Sequence, residues 1–423
     1  MRISALILSP VLFLVTCSQL GVHSEKQNKP ILAPSFEKIA SMENWGTPLW
    51  GEHAPKIVKD RNGIVYVLGQ EGPYPGNDAI VYKRLPTGEW VEGARFKETY
   101  QPSIPFLDQE NRLNVLTNSQ TNGIRHYRST DDQNLNQFVL IAEGNGHAED
   151  PRGFYPGIGI RNDTLYMAYI TNDYDFWLTW KCLEDSLWAP AILLYDGYAD
   201  PKGNHAMLYP RFTFSQDTVY LLASHCSDGS TYNFKDAVYL YQFRPSNPQT
   251  FTLDPVYAPR KGYSAFGFNV SLGSDNEPVV IMTSGGHQYG PVDSTALPAG
   301  LYRAKRFSER DGWMYEQIYS GPAVPSEIHL GEDQFIILNA NDWAGNGSLS
   351  AMFESGKDLW QRIPISWPWP DSTRLFPSNL QFTTPTSGSS PGSGADGVLA
   401  VSSKNETGDG LHSYDLYYVR MGK

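Results

Sequence analysis

Six stretches of this chain place a proline at the mouth of an alternating strand: "HAPKIV" (53–58), "YQPSIPF" (100–106), "FYPGIGI" (154–160), "LYPRFTF" (208–214), "AVPSEIHL" (323–330) and "LFPSNLQF" (375–382). Their prolines, Pro55, Pro102, Pro156, Pro210, Pro325 and Pro377, recur at steps of 47, 54, 54, 115 and 52 residues. The longest step has room for two units, and "SAFGFNVSL" (264–272) supplies the one between, so the repeat predicts seven. Each unit runs through a polar turn into a second strand, as in "KDRNGIVYVLG", "LDQENRLNVLT" and "FSQDTVYLLA", with Asp, Asn or Gly where a hairpin needs them. Third strands such as "AIVYKRL" and "AVYLYQF" follow, then short fourth segments marked by Trp or Phe, such as "EWVEG" and "LWAPAIL". Seven units of about four antiparallel strands predict an all-β protein, a seven-bladed β-propeller whose first strands line a central channel. With 25 Tyr, 30 Pro, 38 Gly and only 18% charged residues, the composition favours strands and turns over helices.

The opening "MRISALILSPVLFLVTCSQL" has one arginine and then an apolar stretch too short to span a bilayer. Residues 1–24 therefore read as a signal peptide, cut either at a lipobox, "LVTC", whose Cys17 would carry lipid, or after "VHS" (22–24). The expected location is outside the cytoplasm, as a periplasmic or cell-surface lipoprotein or a secreted protein, with membrane contact only through that anchor. Residues 35–423 read as a single propeller domain, closed by pairing of the segment after residue 34 with the last blade, and expected to be monomeric. The Gly/Ser-rich stretch 384–397 reads as a loop of the last unit. A net charge of -12 with no run of Lys or Arg excludes a nucleic-acid footprint, so an anionic ligand would need a local basic pocket. Cys182 and Cys226 suit one disulfide or two buried thiols equally well, and no Cys/His spacing suggests zinc.

Residues beside the prolines would share the channel mouth: His53, Tyr100, Tyr155, Tyr209, Arg211, Tyr263 and Glu327. A tyrosine beside a proline is most often packing, and a lone strand-end glutamate is most often solvated. Arg211, in "NHAMLYPRFTF" (204–214), is harder to dismiss, because a guanidinium inside an apolar strand needs an anionic partner. It sits two residues past Tyr209 and so shares its face. Four of the nine histidines, His126, His147, His205 and His225, fall in one hundred-residue span around these blade mouths. Histidines, tyrosines and an arginine together suit proton transfer beside an anion.

The chain after its signal resembles the BNR-repeat propellers that include ulvan lyases and rhamnosyl-glucuronate lyases, together with related α-L-rhamnosidases. Those lyases carry two histidines followed by a tyrosine and an arginine, at spacings matched by His126 and His147, 21 residues apart, and by Tyr195 and Arg211, 16 apart. The resemblance implies β-elimination on an anionic, uronate-containing glycan of ulvan or rhamnosyl-glucuronate type. Tyr195, His126, His147 and Arg211 would be catalytic. His53, His205, Tyr209 and Tyr263 would bind substrate, with Tyr198, Tyr209 and His205 near enough to replace members of the catalytic set. Arg211 would neutralise the carboxylate, and Tyr195, acidified by it, would act as base and acid. The chemistry requires no metal or organic cofactor, and any structural cation is invisible in the sequence. Two rivals remain. A rhamnosidase-like hydrolase would use His53, with a carboxylate pair drawn from Glu52, Glu149, Asp150 and Glu327. A glycan-binding propeller would do no chemistry. A sialidase is excluded, because its S-x-D-x-G-x-T-W box and arginine triad are absent.

Overall fold

The computed structural model describes residues 34–421, apart from 52, 120, 122, 132–133, 148, 151, 198–204, 228–234, 260–262, 289–295, 307–311, 322–323, 331–332, 340–348, 355–359, 366–367, 370–379, 384–386, 388–395 and 407–410. The hairpin turns form for the reason their residues suggest. Asp60 Oδ1 accepts the backbone N–H groups of Asn62 and Ile64, and Gly63 takes the positive φ of 84° that follows. This turn joins β2 (Ile57–Lys59) to β3 (Val65–Glu71). Asp108 acts in the same way on Arg112 N, between β5 (Trp90–Leu107) and β6 (Leu113–Ser119).

Antiparallel sheets build the whole fold, and no α-helix occurs among the described residues. One sheet of seven strands runs from β2 and β3 through β4 (Asn77–Arg84), β5, β6 and β7 (Gly123–Ser129) to β8 (Phe138–Glu143). Four-stranded sheets follow in chain order. The first is β9 (Phe154–Arg161), β10 (Thr164–Ile170), β11 (Phe176–Cys182) and β12 (Ile192–Tyr195). The second is β13 (Ala206–Phe214), β14 (Val219–Cys226), β15 (Lys235–Arg244) and β16 (Asn247–Tyr257). The next two are β17 (Tyr263–Leu272) to β20 (Trp313–Ser320), through β18 (Pro278–Gln288) and β19 (Gly300–Arg306), and β21 (Val324–Leu330) to β24 (Trp360–Pro364), through β22 (Asp333–Asn339) and β23 (Leu349–Glu354). The last sheet takes β25 (Leu380–Phe382), β26 (Asp396–Glu406) and β27 (His412–Arg420), and its fourth strand is β1 (Ser35–Asn44), paired from Ser35↔Arg420 to Asn44↔His412.

The repeat predicts separate four-strand units, whereas β2–β8 form one sheet. The cause is β5, which pairs with β4 as far as Thr99 and with β6 from Tyr100 onward. Glu98, at φ 54°, turns the strand at that junction without interrupting it.

Burial falls across each sheet. β6 is buried at every residue and β10 at nearly every one, whereas β8, β16 and β20 are largely exposed. Strands buried on both faces require sheets stacked against sheets. Apolar clusters lie between consecutive sheets. Phe106, Leu116, Ile158 and Met167 join β5–β8 to β9–β12, while Tyr166, Leu208, Phe212 and Leu221 join β9–β12 to β13–β16. Met42, Val67, Ile80, Val398 and Leu416 join the last sheet to β2–β5. No disulfide joins Cys182, exposed at the end of β11, to Cys226, buried at the end of β14. Residues 1–33, Pro377 and most of the 384–397 stretch lie outside the described residues.

β9 and β13 approach closely at two glycines. A Cβ on Gly157 would lie 2.1 Å from the carbonyl oxygen of Pro210, and one on Gly159 would lie 2.5 Å from Phe212 Cβ. Gly157→Ala is therefore expected to destabilise the fold by about 1–3 kcal/mol. Gly312→Ala, where the space is open and φ is ordinary, should stay within about 0.5 kcal/mol of the parent. Urea midpoints of the two variants check this, and equal midpoints would contradict the packing.

Candidate functional site

Two Tyr-Pro steps build the floor of the site. In β9, pairing with β10 skips from Gly157↔Ala168 to Phe154↔Ile170; in β13, pairing with β14 skips from Leu208↔Ser224 to Arg211↔Leu222. The residues passed over are the dipeptides Tyr155–Pro156 and Tyr209–Pro210, each opposite a single partner-strand residue, Tyr169 or Ala223, and both tyrosines sit in the left-handed region, at φ 50° and 59°. A bulky residue there stores on the order of 1–3 kcal/mol of strain, and such bulges re-aim side chains. The two rings meet at 5.4 Å and converge on His53, whose ring lies 5.0 Å from Tyr209 and 6.2 Å from Tyr155.

His53 is buried, with neither ring nitrogen in hydrogen-bond geometry with a described residue, although the backbone of Tyr155 and Pro156 passes close by. Burial first, and then the positive charges of Arg211 and Lys56, hold its imidazole well below the usual histidine range, so it is neutral at pH 7. Lys56 is itself fully buried, donates to the Ser103 carbonyl, and is pushed well below the usual lysine range by desolvation. Lys235 adds a further basic side chain, its Nζ 5.0 Å from the Tyr209 ring centroid and 5.2 Å from that of Phe266. A basic pocket thus sits within a chain of net charge -12.

Beside Lys235, Asp236 Oδ1 lies 2.6 Å from His225 Nδ1. That contact places the Nδ1 proton toward the carboxylate and leaves Nε2 as an acceptor. Nε2 is 3.2 Å from His205 Nδ1 and 3.4 Å from the Tyr195 hydroxyl. Gly197, two residues past Tyr195, donates its N–H to Asp175, and a Cβ on it would lie 2.4 Å from the His205 carbonyl. The end of β12 is therefore pinned against His205. The result is a hydrogen-bonded chain, Tyr195–His225–Asp236, whose carboxylate follows Lys235 in sequence. Such a chain can accept a phenolic proton and return it.

The sequence-predicted residues divide between environments. His53, Tyr209 and Arg211 fall together at the Tyr-Pro floor, and His205 and Tyr195 fall together at His225; His53 at 3% exposure and Tyr209 at 4% are buried, while half-buried Tyr155, Tyr195, Arg211, His225, Lys235 and Asp236 reach solvent. His126 lies elsewhere, fully buried on β7 with Nε2 2.9 Å from Asn114 Oδ1 and its ring over Phe106. His147 organises a turn, its Nδ1 accepting the N–H groups of Glu149 and Asp150 while its ring packs on Trp177. No hydrogen bond or ring contact of either histidine reaches Tyr195, His225, Tyr209 or Arg211. Asp150 is held by Arg152 at 2.8 Å, and Glu149 is exposed. Glu52, Tyr198 and the side chains of Tyr263 and Glu327 lie outside the described residues.

Asp236 and Lys235 carry no signal in the sequence, and His225 stands out there only as one of a group. The proline signal marks the starts of first strands alone. In an antiparallel sheet the same mouth also receives the end of the second strand, the start of the third and the end of the fourth, where His225, Asp236 and Tyr195 stand. Among the described residues no group of three or more His, Cys, Asp or Glu is placed to hold a metal ion, and no helix is long and apolar enough to cross a membrane.

No protein-family model matches the chain, nor does any curated protein sequence. Solved structures do. The polysaccharide lyase PL25 ulvan lyase bound to -[GlcA(1-4)Rha3S]- is similar with a TM-score of 0.62 and 14% identity, over 90% of this chain and 95% of that one. Polysaccharide lyase Uly1 is similar with a TM-score of 0.54 and 12% identity, over 87% and 90%. An α-L-arabinofuranosidase, Arb93A of Fusarium graminearum, reaches 0.48 at 10% identity over 75% and 92%, too slight a likeness to bear on the reading. At these identities what is shared with the two lyases is the fold.

The surroundings of His126 carry a pH prediction. Burial, with Lys181 and Arg128 nearby, lowers its pKa to about 2. The unfolded chain, titrating near the ordinary 6.5, binds the proton first. Stability from this group is thus complete above that value and is lost as pH falls, at about 1.4 kcal/mol per pH unit. Urea unfolding at neutral and mildly acidic pH should show a steeper loss in the parent than in His126→Gln; equal slopes would contradict the assignment.

Proposed function

We propose that the protein is an exported carbohydrate-active enzyme that cleaves a uronate-containing glycan by β-elimination. The observation that carries the reading is the Tyr195–His225–Asp236 chain, whose Asp236 follows Lys235, a cation over the Tyr209 ring that packs on His53, the histidine that feels the positive charges of Arg211 and Lys56. Removing the weakly acidic C5 proton of a uronate requires its carboxylate to be neutralised, and Arg211 suits that role as a planar, always charged fork. In the proposed step Tyr195 passes its phenolic proton to His225 Nε2, with Asp236 balancing the charge. The phenolate takes the C5 proton, the C4=C5 double bond forms as the C4–O bond breaks, and Tyr195 hands the proton to the departing oxygen. His225 then returns its proton to Tyr195. His205 holds the His225 ring in place, and His53, Tyr155 and Tyr209 shape the floor. This chain of roles places the chemistry on Tyr195 and Arg211, and leaves His126 and His147 to pack and cap.

The same proposal includes a seven-bladed ring. β5 serves as the last strand of one blade and the first of the next, which turns the seven-stranded sheet into two four-stranded blades. The apolar cluster between β25–β27 with β1 and β2–β5 supports closure of last blade on first. Export rests on the signal-like start, with Cys17 as a lipid anchor. Membrane attachment lost in Cys17→Ser would support that anchor, and detergent-independent solubility of the parent would contradict it.

Ultraviolet absorbance of the new conjugated double bond, followed over a panel of uronate glycans, tests the activity. Arg211→Ala and Tyr195→Phe are expected to lower turnover by roughly 10²-fold or more without loss of thermal stability. Sugar release without new absorbance would instead identify a rhamnosidase-like hydrolase. Retained glycan binding with neither signal would identify a binding propeller.

A further inference from the structure

An aromatic ridge leads away from the pocket. Phe154, next to Tyr155 on the floor, packs against Tyr100 at 5.4 Å; Tyr100 meets Tyr74 at 5.1 Å; and Tyr74 stacks on Trp45 at 4.9 Å with an interplanar angle of 28°. The outer members are open to solvent, Trp45 at 52% and Tyr74 at 39%, which is unusual for aromatic rings that pack on one another. Their positions are fixed by backbone bonds. Asn44 Nδ2 donates to the Gln70 carbonyl, Trp45 N–H to that of Gly72, and the Tyr414 hydroxyl to that of Gly46. The Tyr74 and Tyr100 hydroxyls are hydrogen-bonded to each other.

We propose that Trp45 and Tyr74 form a stacking subsite for an uncharged sugar ring of the same glycan chain, beyond the residue held at Arg211. The proposal rests on the glycan-binding part of the reading above, and its occupant follows from three features. The four rings touch in series from Phe154, beside Tyr155, to Trp45, so they offer a glycan held at the pocket a continuous apolar surface. Rigid, half-exposed aromatic faces bind the C–H face of a pyranose at little entropic cost. The charge nearby disfavours a carboxylate, because Glu43 and Glu71 flank the ridge and Arg95 is already engaged by Glu71, Asp78 and Glu92. Acidic rings therefore belong at Arg211 and uncharged rings at Trp45.

Affinity electrophoresis through gels containing polymers in which uronate alternates with an uncharged sugar reads binding whether or not a bond is cleaved. Trp45→Ala is expected to weaken retardation, and to raise KM for the polymer roughly tenfold with kcat unchanged, while a disaccharide too short to reach the ridge is handled as by the parent. Trp45→Phe should restore most of the loss, and Tyr74→Ala should repeat it. An equal effect on polymer and disaccharide, an unaffected polymer KM and retardation, or self-association of the parent that Trp45→Ala abolishes would overturn the proposal. Retardation that depends on Trp45 without any absorbance from a new double bond would reject the lyase reading and keep the subsite. Absence of retardation of the parent by every polymer would reject both.

Discussion

Gly157 has no side chain because the carbonyl of Pro210 occupies the place where one would begin. That contact between β9 and β13 brings two bulged Tyr-Pro steps to the same level, and it is why Tyr155 and Tyr209 meet across the sheet boundary rather than each facing its own strand. Tyrosines in left-handed conformation are costly, and these persist because the surrounding strands leave no alternative. The strain is localised at the floor of the pocket, where it fixes the wall against which His53 and Lys235 pack.

Electrostatics then follow from burial. His53 and Lys56 are buried beside the half-buried Arg211, and burial holds both of them well below their usual ranges, which leaves His53 neutral. The remaining positive charge favours an anion in the pocket, and the Asp236–His225 pair stands to one side as a proton acceptor. Anion binding and proton transfer are in this way assigned to different side chains, which is what abstraction of a proton next to a carboxylate requires.

Much of the architecture was legible in the chain itself. Proline at strand starts, Asp/Asn/Gly at turns and a step near fifty residues anticipated the sheets and their order, since each signal acts within a few residues of where it stands. The continuity of β5 was not legible, because only the φ of Glu98 distinguishes a strand that turns from two that stop. At the site, Arg211 announced itself by its incongruity in an apolar strand. Asp236 did not, because a carboxylate at the start of a third strand looks like any solvated loop residue until pairing brings it opposite the end of the second. Spacing alone also drew His126 toward Tyr195. Yet β7 is a third strand, and its register turns His126 inward onto Asn114 and Phe106.

The proposed elimination requires one pocket to bind a uronate carboxylate at Arg211 while Tyr195 faces the C5 proton. A crystal structure of the Tyr195→Phe protein with a uronate oligosaccharide examines that requirement at the atoms concerned. The carboxylate is expected within hydrogen-bond distance of the Arg211 guanidinium, with C5 facing the substituted ring at position 195 and the His225 side chain. An oligosaccharide whose carboxylate is bound away from Arg211, or whose C5 faces His126 or His147 instead, would contradict it.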